Sequence, residues 1–191
     1  MKKLKIIFEK SIIPLLYLMN KLGIKPIHLT FSGLIFSLIP AFFYIKGNFL
    51  LAGILLIIFS LFDTLDGALA RYRDSTTKFG AFIDSVTDRI QEGIIFSSLI
   101  YFYREEITKV LILFFSFLFS FLISYTRARA EGLSYSIRVG PMEREERIAF
   151  IAFSSLTGKK VFIYLLILFL ILVVLTFLRR ILYAYKIMEE K

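Results

Sequence analysis

The chain has 191 residues, 58% of them hydrophobic, and a mean hydropathy of +0.76. It has no cysteine and one histidine, which excludes a disulfide framework, a thiolate zinc site and a cysteine nucleophile, and argues against a histidine triad or metal cluster. In so apolar a chain, the formal net charge of +9 points to membrane topology and a phosphorylated ligand rather than to nucleic acid.

Residues 1–26 open the chain. Lys2, Lys3, Lys5, Lys10, Lys21 and Lys25 alternate with Ile6, Ile7, Phe8, Ile12, Ile13, Leu15 and Leu16. This reads as an amphipathic juxtamembrane helix on a lipid surface. Glu9, Lys10 and Pro14 interrupt its apolar run, so it does not read as a cleavable signal peptide. Residues 27–191 read as one all-α, polytopic membrane domain with six transmembrane helices. The first span is expected from Leu29 to Tyr44 with a kink at Pro40, and the second from Phe49 into an acidic motif. The third runs from Phe79 to Tyr103. The fourth starts at Val110 and continues past Tyr125 through Arg127, Arg129 and Glu131. Gly140-Pro141 breaks the loop that follows. A short fifth span ends near Leu156, and the sixth runs from Val161 to Leu178. With both termini on one side, that side carries 18 Lys/Arg and the other 5. The positive-inside rule then places both termini and the acidic motif in the cytoplasm, on a cell (inner) membrane protein.

The acidic motif runs from Phe62 to Glu92. Asp63 and Asp66 are three apart, and Asp84 and Asp88 are four apart, so each pair shares a helix face. Gly67, Ala70 and Arg71 lie beside the first pair, and Gly80 lies one turn before the second. Between them, Ser75, Thr76 and Thr77 are N-cap candidates. The expectation is two helices joined by a tight turn, with acidic faces toward each other. Ionised aspartate inside a membrane costs about 2.5–3.5 kcal/mol on insertion scales. Oxygen-bound Mg²⁺ or Mn²⁺ would offset that, and four carboxylates suit two ions. The alternative is surface aspartates paired with Arg71, Arg73, Lys78 and Arg89.

The order D-x-x-D-G-x-x-A-R, then G-x-x-x-D-x-x-x-D, resembles the signature of the CDP-alcohol phosphatidyltransferase family. Asp63, Asp66, Gly67, Ala70, Arg71, Gly80, Asp84 and Asp88 match it. The resemblance implies a membrane transferase of phospholipid biosynthesis that displaces CMP from a CDP-linked lipid, CDP-diacylglycerol or CDP-archaeol. It implies metal ligation by the four aspartates, Asp88 as catalytic base, and a homodimer. Pro26 to Thr30 resembles a family stretch before the first span, with Ile27 in place of an asparagine. By that resemblance Ile27, His28, Leu29 and Thr30, with Gly67, Ala70, Arg71, Thr77 and Gly80, would bind the CDP-lipid.

On the same predicted side stands Ser124 to Glu131, SYTRARAE, with Arg138, Arg144, Arg147, Arg179 and Arg180. Converging guanidinium groups make a good phosphate site. The alternative is ordinary cytoplasmic arginine paired with Glu131, Glu143, Glu145 and Glu146. YTRARAE, MEREERI and DSVTDRI resemble the phosphatidylinositol-phosphate synthase subgroup. That resemblance implies an inositol phosphate acceptor held by Ser124, Arg127, Arg147 and Arg180, with Arg129 near. The subgroup often has Lys where this chain has Arg127. A competing reading keeps the reaction with glycerol 3-phosphate as acceptor. Another is a divalent-cation transporter.

Overall fold

The computed structural model describes the backbone of residues 2–189 and the side chains of residues 12–60 and 64–189. Every regular element among them is helical. In order these are α1 (Lys2–Lys21), α2 (Pro26–Phe36), α3 (Leu38–Ile45), α4 (Phe49–Tyr72), α5 (Lys78–Phe102), α6 (Ile107–Glu131), α7 (Arg144–Leu156) and α8 (Lys159–Glu189).

Helix α1 rests on α4, where Leu16 packs against Ala68 and Leu69. The lysines and apolar residues that define its expected amphipathic face lie mostly in residues 1–11, outside the described side chains. Pro26 is the first residue of α2, where its missing N–H is harmless and its φ is already helical. The expected kink at Pro40 is instead a break at Ser37, between α2 and α3. Pro40 cannot donate to the carbonyl four residues back, and its ring crowds that carbonyl, Phe36. The helix therefore fails one turn before the proline and restarts with Pro40 in its first turn.

At the next connection Gly47 has φ +71, and a Cβ there would stand 2.7 Å from the Phe102 ring and 2.8 Å from Lys159 Nζ. Asn48 caps α4 by accepting the Leu51 N–H at 3.2 Å. At the other end of α4, Asp74 takes the left-handed conformation (φ 49) and turns the chain toward α5. Thr77 caps α5, its hydroxyl accepting the Gly80 N–H at 2.9 Å, as its position before the apolar run predicts.

Pro26–Ile45, Phe49–Tyr72, Ile107–Glu131 and Lys159–Glu189 are long and apolar enough to cross a membrane, which makes this a multi-pass membrane protein. Two of the six expected spans do not qualify on the same grounds. Helix α5 is long enough but carries Asp84, Asp88, Arg89 and Glu92. Helix α7 has 13 residues. At 1.5 Å per residue that is about 20 Å, short of the ~30 Å hydrocarbon core.

Helices α2 and α3 each pack against both α4 and α5. Helix α7 lies along α4, and the two backbones approach closely at Gly53. A Cβ there would meet the Ala152 carbonyl oxygen and Ser155 Cβ, both at 2.8 Å. The buried Tyr44 hydroxyl lies 2.6 Å from Ser155 Oγ and ties α3 to α7. The main core is aromatic: Phe49 meets the rings of Tyr44, Phe102, Tyr103 and Phe162 at centroid distances of 5.0–6.1 Å. This packing leaves polar segments of α2, α4, α5, α6, α7 and α8 to line two cavities.

Candidate active site

The first cavity, about 830 Å³, opens where the start of α2, the end of α4 and the start of α5 meet. Ile27, Thr30, Asp66, Gly67, Ala70, Arg71, Thr77, Gly80 and Asp84 all line it, joined by Asn20, Lys25 and Arg73. Asp66 is buried. Its Oδ2 accepts the Thr30 hydroxyl at 2.7 Å and its Oδ1 accepts the Gly67 N–H at 2.5 Å. The Thr30 contact fixes α2 against α4 at the cavity floor. Arg73 closes one side, its Nε donating to Asn20 Oδ1 at 2.5 Å and its Nη2 to the Asn20 carbonyl at 3.0 Å. Gly80 serves the cap directly, since a Cβ would sit 3.0 Å from Thr77 Oγ1.

Two residues expected here face elsewhere. His28 is exposed, and its Nδ1 accepts the Lys25 N–H at 3.3 Å, capping α2. Leu29 packs into the Leu16–Ala68–Leu69 cluster. Successive helical residues turn by about 100°, so neighbours of Ile27 and Thr30 cannot all reach one cavity. The Asp63 side chain lies outside the described residues.

The second cavity, about 750 Å³, lies among α5, α6, α7 and α8. Asp84, Asp88, Ser124, Arg127, Arg147 and Arg180 line it. Arg129 does not; it is exposed on another face of α6, as its two-residue offset from Arg127 requires. Asp84 borders both cavities. Asp66 from α4 and Asp84 from α5 share the first cavity, and Asp84 and Asp88 share the second. Among the described residues no three carboxylates or imidazoles converge as a metal site.

The charges around the second cavity are balanced. Arg89, Arg127, Arg144, Arg147 and Arg180 line it, and so do Asp84, Asp88, Glu131, Glu143 and Glu145. Asp88 is paired twice, with Arg144 Nη1 at 2.9 Å and Arg89 Nη1 at 3.3 Å. Arg144 also donates to Gln91 Oε1 at 2.6 Å. Arg147 and Glu92 are each 1% exposed and form two parallel bonds, 2.8 Å from Nε and 2.9 Å from Nη2. Arg147 further donates to the Met142 carbonyl and Ser124 Oγ, both at 3.2 Å. Arg180 donates to the Val139 and Ile123 carbonyls at 3.1 and 2.7 Å and to Glu143 Oε1 at 2.6 Å. Arg127 reaches Glu131 at 2.9 Å and Glu143 at 3.6 Å. The expected arginines thus stand together, but with carboxylate partners already in place. Glu92, Glu143 and Arg144 complete this network; Arg144 belongs to the expected arginine group and Glu143 to its alternative carboxylate partners, whereas Glu92 has no expected part in it. Their partners are 37 to 55 residues away in the chain, and no local spacing marks such a pair.

The chain is similar to known proteins in sequence and in fold. Residues 24–189 match the profile of the CDP-alcohol phosphatidyltransferase family. The archaetidylinositol phosphate synthase of Pyrococcus horikoshii is 37% identical over 175 residues, covering 88% of this chain and 87% of that protein. The phosphatidylinositol phosphate synthase of Mycobacterium tuberculosis with CDP-DAG bound superposes with a TM-score of 0.84 at 27% identity, covering 90% of this chain and 92% of that one. The same enzyme in complex with manganese and citrate gives 0.83 at 26% identity, covering 90% and 88%. On the profile match and the Pyrococcus relative together, this chain belongs to the CDP-alcohol phosphatidyltransferase family.

Proposed function

We propose that this enzyme moves a phosphatidyl or archaetidyl group from a CDP-linked lipid to inositol phosphate and releases CMP. The observation that carries this reading is Asp84, which lines both cavities. A donor in one cavity and an acceptor in the other would meet at that carboxylate. The first cavity takes the CDP-lipid: Gly67, Ala70 and Gly80 keep it open for the nucleotide, and Lys25, Arg71 and Arg73 offer positive charge to the diphosphate. The second takes the acceptor, with its phosphate against Ser124, Arg127, Arg147 and Arg180. His28, Leu29 and Arg129 carry no part of the reading, since none of them lines either cavity.

The chemistry of the carboxylates suits a hard divalent cation, because Asp66 and Asp84 line the first cavity, Asp84 and Asp88 line the second, and all offer oxygen donors. Asp63, Asp66, Asp84 and Asp88 would hold Mg²⁺ or Mn²⁺, two ions by family resemblance, which neutralise charge on the diphosphate when bound. Asp88 takes the proton of the acceptor hydroxyl, and Arg144 and Arg89 fix its carboxylate for that task. The hydroxyl oxygen then forms its bond to the lipid-side phosphorus while the phosphorus–oxygen bond to CMP breaks. Residues 27–191 carry the reaction, and residues 1–26 lie along the membrane surface. Helices α5 and α7 complete six spans, with both termini and both cavities facing the cytoplasm, and the enzyme works as a homodimer in the cell (inner) membrane.

An acceptor panel tests this. Purified protein is given labelled CDP-diacylglycerol or CDP-archaeol with Mg²⁺ and inositol 1-phosphate, glycerol 3-phosphate or free inositol. Product is expected with inositol 1-phosphate alone. Product formed from glycerol 3-phosphate and not from inositol 1-phosphate would overturn the acceptor assignment and keep the reaction.

A further inference from the structure

Glu143 stands where two cavity arginines converge. Arg180 Nη2 donates to its Oε1 at 2.6 Å, and Arg127 Nη1 lies 3.6 Å from its Oε2. Arg180 is 1% exposed and is also held by the carbonyls of Val139 and Ile123, so its guanidinium cannot move far. Glu143 is different. Its side chain is 30% exposed and lines the cavity. It occupies the N-cap position of α7, yet makes no capping bond to that helix. The backbone just before it is fixed, with Gly140 (φ +98) packed on Thr176 and Met142 buried in the core, so any movement of Glu143 is confined to its side chain. Among the described residues its side chain is bonded only to the two arginines.

The donors that Glu143 occupies are the ones an acceptor phosphate needs. A second negative group of phosphate size cannot share them with a carboxylate without repulsion. Glu143 and Glu131 already pair with Arg127, and Glu143 with Arg180, so a phosphate dianion gains little from these two arginines while the carboxylates stay in place. We propose that Glu143 is a built-in stand-in for the acceptor phosphate. It holds Arg127 and Arg180 in register and withdraws when the phosphate docks, so its charge sets the acceptor affinity. This rests on the acceptor-phosphate reading of the cavity.

The test is binding of inorganic phosphate and of inositol 1-phosphate to purified full-length protein with Mg²⁺, by calorimetry, alongside turnover. E143Q keeps an oxygen acceptor for Arg180 and removes the competing charge. Its dissociation constant for either probe is expected to fall roughly fivefold, with KM falling in parallel and kcat not rising. E131Q removes the more exposed partner of Arg127 and is expected to change affinity by less than about twofold. If wild-type protein binds both probes and a folded E143Q binds them no more tightly, the stand-in role is wrong and the acceptor reading survives. If wild-type protein binds neither probe, the acceptor reading itself fails. A wild-type structure with bound phosphate decides without any variant. Phosphate on Arg180 with the Glu143 carboxylate moved away supports the proposal. Phosphate bound with the Glu143–Arg180 contact intact overturns it.

Discussion

Asp88 is gripped from two sides, by Arg144 at 2.9 Å and by Arg89 at 3.3 Å, and it lines the acceptor cavity but not the nucleotide cavity. Asp88→Asn should therefore leave CDP-lipid binding close to wild type and lower kcat by about 10²–10⁴, the usual contribution of a general base. A variant that turns over normally would remove Asp88 from that role. Arg147 and Glu92 make a different prediction, because both are buried and bonded to each other twice. Removing one partner strands a charge, so Glu92→Leu should destabilise the protein by about 3–5 kcal/mol. The double variant Arg147→Met with Glu92→Leu should recover most of that stability, yet fail to use a phosphorylated acceptor. Thermal unfolding in detergent reads the first effect and the acceptor assay reads the second. Spacing identified the aspartates and small residues of the first cavity, since positions three and four apart share a face. The sequence offered Glu131 and Glu143 as carboxylate partners for the cavity arginines without assigning pairs, and it could not identify Glu92 as the partner of Arg147, because a long-range ion pair leaves no local pattern.

Helix α7 ends at Leu156, as expected of the short fifth span. Its 13 residues include a charged first turn of Glu145 and Glu146, and it is too short to span on composition alone. The structure keeps it against α4 through the close approach at Gly53, and against α5 through Arg147–Glu92. Polar pairing inside the bundle replaces the hydrophobic length that a free-standing span would need. Gly53→Ala is expected to push these helices apart, since the new Cβ would meet the Ala152 carbonyl oxygen at 2.8 Å. Overpacking of this kind costs about 1–3 kcal/mol, measurable as a lowered melting temperature without a change in the acceptor preference. Helices α4, α5, α6 and α8 were legible from their apolar runs and flanking turns. The break at Ser37 was not, because the proline that causes it acts on the carbonyl four residues earlier.

The two cavities make sense for the whole molecule only if they face the same compartment. The natural chain has no cysteine, so single cysteines report topology without background. Cysteines placed at Ser75 and Lys186 should react with a membrane-impermeant maleimide from the cytoplasmic side, and one at Lys46 from the opposite side. Labelling of Ser75 and Lys46 positions from the same side would break the six-span arrangement. Above all, the account needs donor and acceptor to meet at one carboxylate. The most direct test is CMP release from a CDP-linked lipid by wild type and Asp84→Asn, with Mg²⁺ or with a chelator. The prediction is rapid release by wild type with Mg²⁺ and inositol 1-phosphate, and almost none with the chelator or in the variant. Undiminished, acceptor-dependent CMP release by Asp84→Asn would contradict it.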